Sequence, residues 1–304
     1  MRLVGRVFSA LFTVWLAVTL VFFALRLLPG DAVQAQLIQS GASAEVIAAR
    51  RAQQGLDAPW PVQYGRYWLR FVQGDLGYSL FDGQAVTDLI FQRLGPTLHL
   101  AGGALLAGCV LGLSLGIVGG INSFFSPAAR IIINVALSTP IYWTGTLAIW
   151  LFAVQMRLLP SAGEDGLPGL ILPVAVLGFH TGGGIGRAVE TSVRENLNAD
   201  FVRTARSKGL PEALVLRRHV LRVGLLPVIT VIALQTGFLL GGAVITESLF
   251  VRPGLGRLLL DSTLQQDYPV VQGITALTAA AYTLLNMAAD ILYAWFDPRI
   301  AARV

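Results

Sequence analysis

Charged residues are scarce in this chain, and so are the residues that usually build catalytic or metal sites. Charged side chains make up 13% of its 304 residues and hydrophobic ones 55%, whereas soluble domains are about 25% charged. A soluble domain is therefore excluded, and the mean hydropathy of +0.67 indicates an integral membrane protein. The single cysteine, Cys109, excludes a disulfide within the chain and a cysteine-based metal site.

Sequence motifs for cofactors and catalysis are missing as well. The chain has no Walker-type Gly-x-x-x-x-Gly-Lys-Ser/Thr, no His-Glu-x-x-His and no Gly-x-Ser-x-Gly, and its three histidines are far apart in sequence. We therefore expect no catalytic residue, no metal site and no cofactor held by this chain. The net charge of +5 comes with 21 arginines scattered between apolar runs. Membrane topology explains these arginines better than a nucleic-acid partner does.

Apolar runs predict an all-α membrane protein with six transmembrane helices, since about 20 apolar residues cross the hydrocarbon core of a bilayer. The six runs lie at residues 7–28, 97–120, 130–154, 168–187, 224–246 and 271–295. The second run carries a glycine at every fourth residue from Gly108 to Gly120. Close packing against another helix is the favoured interpretation of these glycines, and a pore-lining role is the alternative. Pro140 in the third run and the three glycines from Gly182 to Gly184 in the fourth each predict a kink or tight packing at that point.

The segment between the first two runs is polar and is expected outside the cytoplasmic membrane. The predicted division of the chain is a tail and first helix in 1–28, an external segment in 29–95, and a five-helix core in 96–300 with a cytoplasmic loop at 190–222. Within the external segment, one helical face carries four aromatic residues and a valine, with Arg66 and Arg70 roughly opposite. The five residues of this face are Tyr64, Tyr67, Trp68, Phe71 and Val72. Core packing of a small external subdomain is the favoured interpretation of this face, and contact with the lipid interface or the spans is the alternative.

Flanking charges predict the orientation. With the N-terminus inside, the inner segments hold thirteen arginines and lysines, and the two short outer loops hold three, Arg157, Arg252 and Arg257. The long segment 29–95 is left out of this count because long loops translocate largely regardless of charge. Both termini and the loop 190–222 are therefore expected in the cytoplasm.

One stretch of that loop has the composition of a contact with another protein. From Asp200 to Leu210 the sequence reads Asp-Phe-Val-Arg-Thr-Ala-Arg-Ser-Lys-Gly-Leu, and it includes the only lysine of the chain, Lys208. Asp200 is expected to be the N-cap of a short helix, and Pro211 after Gly209 is expected to end it. Four residues follow Asp200 at helical spacing on one side of this helix: Phe201, Val202, Ala205 and Gly209. The pattern predicts a short helix, a turn, and a second helix that enters an apolar span.

Polar residues inside the predicted spans are few, and each needs a reason because it is costly in a membrane. Asn286 and Asp290 stand four residues apart on one face of the last span, and Arg187 lies at a similar depth in the fourth. A structural pairing of Arg187 with these two residues is favoured over a place in a translocation path. Both interpretations stay open.

Seven motifs in order resemble the permease subunits of ATP-binding-cassette (ABC) importers, specifically the dipeptide, oligopeptide and nickel group. Besides the stretch from Asp200 to Leu210, the landmarks are Leu28-Pro-Gly-Asp31, Gly74-Asp-Leu-Gly-Tyr-Ser79, Leu159-Pro-Ser-Ala-Gly163, Glu247-Ser-Leu-Phe-Val-Arg-Pro-Gly-Leu-Gly256, Asp267-Tyr-Pro269 and Asp297-Pro-Arg-Ile300. The resemblance implies the type I importer permease fold in the cytoplasmic membrane of a bacterium or an archaeon. It also implies import of peptides or a related solute, without enzymatic activity in this chain.

In that family the loop forms a coupling helix, which sits in a groove of a separate ATPase subunit. The coupling residues that the resemblance implies are Asp200, Phe201, Arg203, Thr204, Ala205, Arg206, Lys208, Gly209 and Leu210. Phe201, Ala205 and Gly209 are implied to make the packed contact. The three basic residues are implied to meet acidic or polar groups of the ATPase.

The resemblance also implies a set of partners. These are a homologous second permease in a heterodimer, two ATP-binding subunits that hold ATP and magnesium, an extracytoplasmic solute-binding protein, and membrane lipid. Two alternatives come from other classes of protein: an integral membrane enzyme that uses Asp31, His99 or His180, and a membrane scaffold that transports nothing.

Overall fold

The computed structural model describes residues 2–27, 43, 45, 48, 52, 55, 57–121, 123–162 and 166–296. Within these residues the secondary structure is helical, with an isolated bridge between Tyr78 and Ala85 and no strand. In chain order the helices are α1 Arg2–Leu27, α2 Trp60–Val72, α3 Val86–Gly120, α4 Ser126–Ser138, α5 Ile141–Gln155, α6 Gly166–Leu197, α7 Asp200–Ser207, α8 Glu212–Gly224, α9 Leu226–Gly242, α10 Val244–Leu249, α11 Leu255–Leu264 and α12 Tyr268–Phe296. Both α5 and α8 contain a π-helical stretch, at Ile149–Gln155 and Val215–Val220.

Four helical stretches are long and apolar enough to cross a membrane by themselves. They are Phe8–Leu27, Val86–Gly120, Gly166–Leu197 and Tyr268–Ala288. Two bent pairs, α4 with α5 and α8 with α9, pass the same test only when each pair is counted as one span. The described helices therefore offer four to six spans. The exact number of six and the cytoplasmic position of both termini stay predictions.

The third predicted span is divided at Pro140. Helix α4 ends at Ser138, α5 begins at Ile141, and the two helices meet at an angle of 106°. Thr139 is extended, with ψ at 137°, because a proline disfavours the helical conformation in the residue before it. The predicted kink is confirmed, and it is large enough to make two separate helices.

The chain forms two compact units, Met1–Gly95 with Gly254–Thr283 and Pro96–Pro253 with Leu284–Val304. In the first unit, the aromatic face of α2 packs on α1. The ring centroids of Phe22 and Tyr64 are 5.2 Å apart, and Thr19 Oγ1 lies 2.8 Å from the hydroxyl of Tyr64. The aromatic face of α2 therefore contacts a predicted span, α1, which was the alternative interpretation of this face from the sequence.

Helix α3 begins at Val86, well before the predicted start of the second span at residue 97. The residues that precede the apolar run form one buried cluster with α11 and α12 in the first unit. Its buried members are Val86, Leu89, Ile90, Leu255, Val270 and Ile274. Sequence reasoning missed this start because the apolar residues alternate with polar ones at helical spacing and form no continuous run.

In the second unit, the glycines of α3 pack directly on α6. A methyl group added at Gly112 would lie 2.7 Å from Ile185 Cβ, and one added at Gly116 would lie 2.5 Å from Val189 Cβ. Each glycine meets a residue at the same offset along α6, so the two helices run parallel and in register. The predicted close packing is confirmed, and it fixes the frame from which the predicted coupling segment extends.

Candidate functional site

The segment Asp200–Leu210 folds as a short helix, α7, that follows directly on α6. Helix α7 begins with Asp200 as its first helical residue, while the capping position falls on Ala199 and carries no side-chain hydrogen bond. The prediction of Asp200 as the N-cap is therefore wrong by one residue. Its carboxylate lies 3.5 Å from the guanidinium of Arg203. Its negative charge also stabilises the helix, because the N-terminal end of the helix dipole is positive.

Gly209 follows the last turn of α7 in the left-handed conformation, with φ at 74°. Its N–H donates to the carbonyl of Arg206 at 2.9 Å, and the N–H of Leu210 donates to that of Ala205 at 3.4 Å. This pair of bonds is a Schellman motif. No atom lies within 4 Å of the position that a Cβ at Gly209 would take, so the requirement for glycine is conformational and not steric.

The inner face of α7 is buried against the chain itself. Val202 is fully buried and Ala205 is 5% exposed, and both belong to one apolar cluster with Val215 and Val220 of α8 and with residues of α6. Ala205 therefore lies on the supporting face of the helix. The resemblance implied that Ala205 makes a packed contact with a partner. In this structure Ala205 packs instead in the core of its own chain.

The outer face carries an aromatic ring and positive charge. Phe201 is 41% exposed, and Lys208 is exposed and forms no ion pair with the described residues. Arg206 forms a 2.6 Å ion pair with Glu212, which links the end of α7 to the start of α8. The Thr204 hydroxyl donates to the carbonyl of Asp200 at 3.0 Å, so it satisfies a backbone group of its own helix.

A buried carboxylate that sequence reasoning missed lies on α6, ahead of α7. Glu190 is 3% exposed and lies between the guanidiniums of three arginines: Arg130 at 3.3 Å, Arg187 at 3.2 Å and Arg194 at 2.5 Å. Arg130 also donates to the carbonyl of Gly119 at 3.0 Å. The cluster thus connects α3, α4 and α6. The i, i+3 and i, i+4 spacing of Glu190 with two of these arginines was the available signal.

Arg187 has partners other than those predicted. It donates to Glu190 and to the side-chain oxygen of Asn134. Asn286 is half-buried on α12, and the side chain of Asp290 lies outside the described residues. The pairing of Arg187 with Asn286 is not observed, and a path-lining role for Asn286 and Asp290 stays a prediction.

The residues of the enzyme alternative are not brought together by the described chain. His180 Nε2 lies 2.7 Å from Thr144 Oγ1, His99 is exposed on α3, and Asp31 lies outside the described residues. Among the described residues, no group of three or more histidine, cysteine, aspartate or glutamate side chains is placed to hold a metal ion.

Two of the landmark motifs meet in the first unit. Asp267, 2% exposed, accepts a 2.5 Å hydrogen bond from the Ser79 hydroxyl and a 3.1 Å bond from the N–H of Leu80. Burial raises the pKa of Asp267 above its ordinary value, although these hydrogen bonds oppose the shift. The motifs ending at Ser79 and starting at Asp267 therefore form one junction in front of α12.

Two charged residues of a third landmark are buried in the second unit. Glu247 is 1% exposed and accepts a 2.7 Å hydrogen bond from Thr97. Arg252, 5% exposed, donates to the carbonyl of Gly169 at 3.4 Å. Glu247 and Arg252 thus hold the fold together from within.

Comparisons with known proteins agree with this architecture. The family model described as binding-protein-dependent transport system inner membrane component matches residues 108–302. A protein named as a peptide permease in Brucella suis biovar 1 is 38% identical over 295 residues, which cover 92% of each chain. The glutathione transport system permease protein GsiC of Escherichia coli O6:H1 is 37% identical over 300 residues, 98% of this chain and 97% of that one.

A solved structure of the MetNI methionine ABC transporter, in an inward-facing conformation, has the same fold. It matches with a TM-score of 0.60 at 17% identity, over 69% of this chain and 96% of that chain. The family match and the relatives at 37–38% identity, together with this fold, define a permease of the ABC importer class. The chain belongs to the family of binding-protein-dependent transport system inner membrane components, and so it is a multi-pass transport component of the cytoplasmic membrane.

Proposed function

We propose that this chain forms one half of the translocation path of an ABC importer for peptides, or for a related small solute such as glutathione. The relatives at 37–38% identity carry peptide or glutathione transport in their names. The chain works with a homologous second permease, two separate ATPase subunits that bind ATP and magnesium, and an extracytoplasmic solute-binding protein. It has six spans, both of its termini are cytoplasmic, and it hydrolyses nothing itself.

We further propose that α7 is the coupling helix. The observation that carries this proposal is the division of α7 into two faces. Val202 and Ala205 anchor the helix in the core of the chain, while Phe201 and Lys208 stay available on the outside. A small helix that is rigidly attached on one face and exposed on the other transmits the displacement of a partner into the packed helices behind it.

The proposed contact differs in part from the one that the family resemblance implied. Phe201 enters an apolar groove of the ATPase, and Arg203 and Lys208 meet its acidic or polar groups. Ala205 and Leu210 support the helix from inside, and Arg206 holds α8 through Glu212. Asp200, Thr204 and Gly209 fix the start, the first turn and the end of α7.

The experiment that tests coupling exploits the positive φ of Gly209. Gly209→Val forces a β-branched residue into a left-handed conformation, at a cost of at least about 1–2 kcal/mol, and is expected to abolish solute uptake and solute-stimulated ATP hydrolysis. Gly209→Asn is the matched control, because asparagine tolerates this conformation. It is expected to retain most of the activity. Equal activity of both variants in reconstituted vesicles would contradict the coupling role.

A second pair of variants separates the two faces of α7. Phe201→Ala is expected to lower the yield of ATPase subunits that copurify with this chain, with little change in its unfolding temperature. Val202→Ala is expected to lower the unfolding temperature, because it leaves a cavity in the core. If the ATPase subunits copurify equally with wild type and Phe201→Ala, Phe201 is not a contact residue. If no ATPase subunit copurifies even with wild type, the scaffold alternative gains support.

A further inference from the structure

A cavity of about 510 Å³ in the first compact unit has no part in the proposed coupling. Its wall includes Arg26 at the end of α1 and Gln272 of α12. Helix α2 contributes Arg66, Tyr67 and Arg70. Its volume lies in the range of small-molecule sites in proteins. Polar and charged side chains are concentrated there.

The wall has an excess of positive charge. Among the described residues, Arg26, Arg66 and Arg70 form no ion pair. The one described acidic residue in the wall, Asp75, accepts a hydrogen bond from the N–H of Gly77 at 2.9 Å.

Arg26 illustrates the imbalance. It is half-buried, and within the part of the chain that the structure describes it donates to neutral acceptors, the side-chain oxygen of Gln63 at 2.9 and 3.0 Å and the carbonyl of Phe22 at 3.0 Å. Its guanidinium also lies 3.4 Å from the ring centroid of Phe22, a neutral ring. Charges withdrawn from water are normally paired with an opposite charge. Such a cavity therefore favours an anion.

Two buried hydrogen-bonding groups in the same wall have no hydrogen-bond partner among the described residues. Gln272 is 4% exposed, and its Nε2 makes no hydrogen bond; the hydroxyl of Tyr67 is also buried and makes none. Buried polar groups in native structures almost always have a partner. Both groups can donate to an oxygen atom, so a ligand with acceptor oxygens would satisfy them.

We propose that this cavity binds an oxyanion group, a carboxylate or a phosphate. Gln272 and Tyr67 donate hydrogen bonds to its oxygens, and the three arginines supply the charge. Two sources offer this chemistry. One is the phosphate of an anionic lipid, because Arg26 lies at the last turn of a candidate span. The other is the terminal carboxylate of a small peptide, and this source alone rests on the proposed function.

The test is a titration of the purified full-length chain in a neutral detergent, followed by isothermal calorimetry. The probes are dioctanoyl phosphatidylglycerol and the dipeptide alanyl-alanine. Dioctanoylglycerol, which lacks the phosphate, and alanyl-alanine amide, which lacks the carboxylate, are their controls. Saturable binding is expected for at least one of the two anionic probes and for neither control.

Variants of the wall connect this binding to the cavity. Gln272→Leu, Arg66→Gln and Tyr67→Phe are each expected to weaken the Kd about tenfold or more. Gln92→Leu and Arg93→Gln, in the same unit but outside the wall, are expected to change it less than about twofold. Without ligand, Tyr67→Phe is expected to keep or raise the unfolding temperature, since it removes an unsatisfied hydroxyl. This variant keeps the test valid if Gln272→Leu fails to fold.

Each outcome decides between the sources or against the site. Binding of the lipid alone assigns a headgroup site, binding of the dipeptide alone assigns a solute site, and binding of both assigns the shared oxyanion chemistry. Absence of binding by both probes, or binding that the wall variants leave unchanged, overturns the proposal. Gly209→Val is expected to bind like wild type, so a failure of this site and a failure of the coupling role are distinguishable.

Discussion

Two carboxylates, one in each compact unit, are almost completely buried and are satisfied in opposite ways. Glu190 in the second unit is 3% exposed and lies among three guanidiniums, whereas Asp267 in the first is 2% exposed and receives its hydrogen bonds from a hydroxyl and from backbone N–H groups. The first arrangement compensates a charge with opposite charges. The second solvates a carboxyl group with neutral dipoles.

The difference indicates what each carboxylate does for its surroundings. Arg130, Arg187 and Arg194 would repel one another without Glu190, so the carboxylate holds α3, α4 and α6 together just ahead of α7. Asp267 holds the loop at Ser79 and Leu80 next to the start of α12 through hydrogen bonds from neutral groups. Removal of Glu190 should therefore release repulsion between charges, while changes at Asp267 should act through hydrogen bonds and protonation.

The largest effect is expected from Glu190→Gln. This change leaves three guanidiniums without their shared anion. Loss of one partner from a fully buried pair costs about 3–5 kcal/mol, and the partial exposure of the arginines, 35–48%, lowers the expected loss of unfolding free energy to about 2–3 kcal/mol. Denaturant unfolding in detergent measures it.

The ionic strength sharpens this comparison. Repulsion among the three arginines is screened by salt, so the loss from Glu190→Gln should become smaller at high salt. Glu195→Gln, an exposed neighbour on the same helix, should stay within about 0.5 kcal/mol of wild type. A loss that is the same at low and high salt would show that Glu190 acts by packing and not by charge compensation.

A smaller loss, about 1–2 kcal/mol, is expected from Ser79→Ala. The change removes the 2.5 Å hydrogen bond to Asp267, and it also removes the acceptor of the N–H groups of Phe81 and Asp82. Tyr78→Phe, at the exposed adjacent position, is the control and should be nearly neutral. Because no guanidinium is involved, the loss from Ser79→Ala should depend little on salt, in contrast to that from Glu190→Gln.

Local patterns predicted much of the fold and of the coupling segment. The end of α7 ahead of Pro211, the packing stripe from Gly108 to Gly120 and the break at Pro140 each follow from the backbone or steric properties of single residues at fixed positions. Such features are readable from sequence because their causes lie within a few residues, or within one helical face.

The buried carboxylates could not be predicted in the same way. Ser79 and Asp267 are 188 residues apart in sequence. Each lies in a recognisable landmark motif, but neither motif predicts a contact with the other. Glu190 had a local signal, yet its burial depends on Arg130 of a different helix. The inward position of Ala205 was missed for a related reason, since helical spacing gives the face but not the side on which the core lies.

The smallest effect concerns pH and Asp267. Burial raises the pKa of this carboxyl above its ordinary value of 3.8, so the folded chain holds the proton at a pH where the unfolded chain has released it. The stability that results is fully present below about pH 3.8 and is lost as the pH rises through the raised pKa, with a slope of at most about 1.4 kcal/mol per pH unit. The free energy of unfolding of wild type, measured relative to Asp267→Asn across this range, should therefore fall as the pH increases.

Asp82→Asn, an exposed position in the same loop, should keep the wild-type profile. A rise instead of a fall would mean that the hydrogen bonds from Ser79 and Leu80 outweigh burial, and the neutral donors would then stabilise the ionised carboxylate as the arginines do at Glu190.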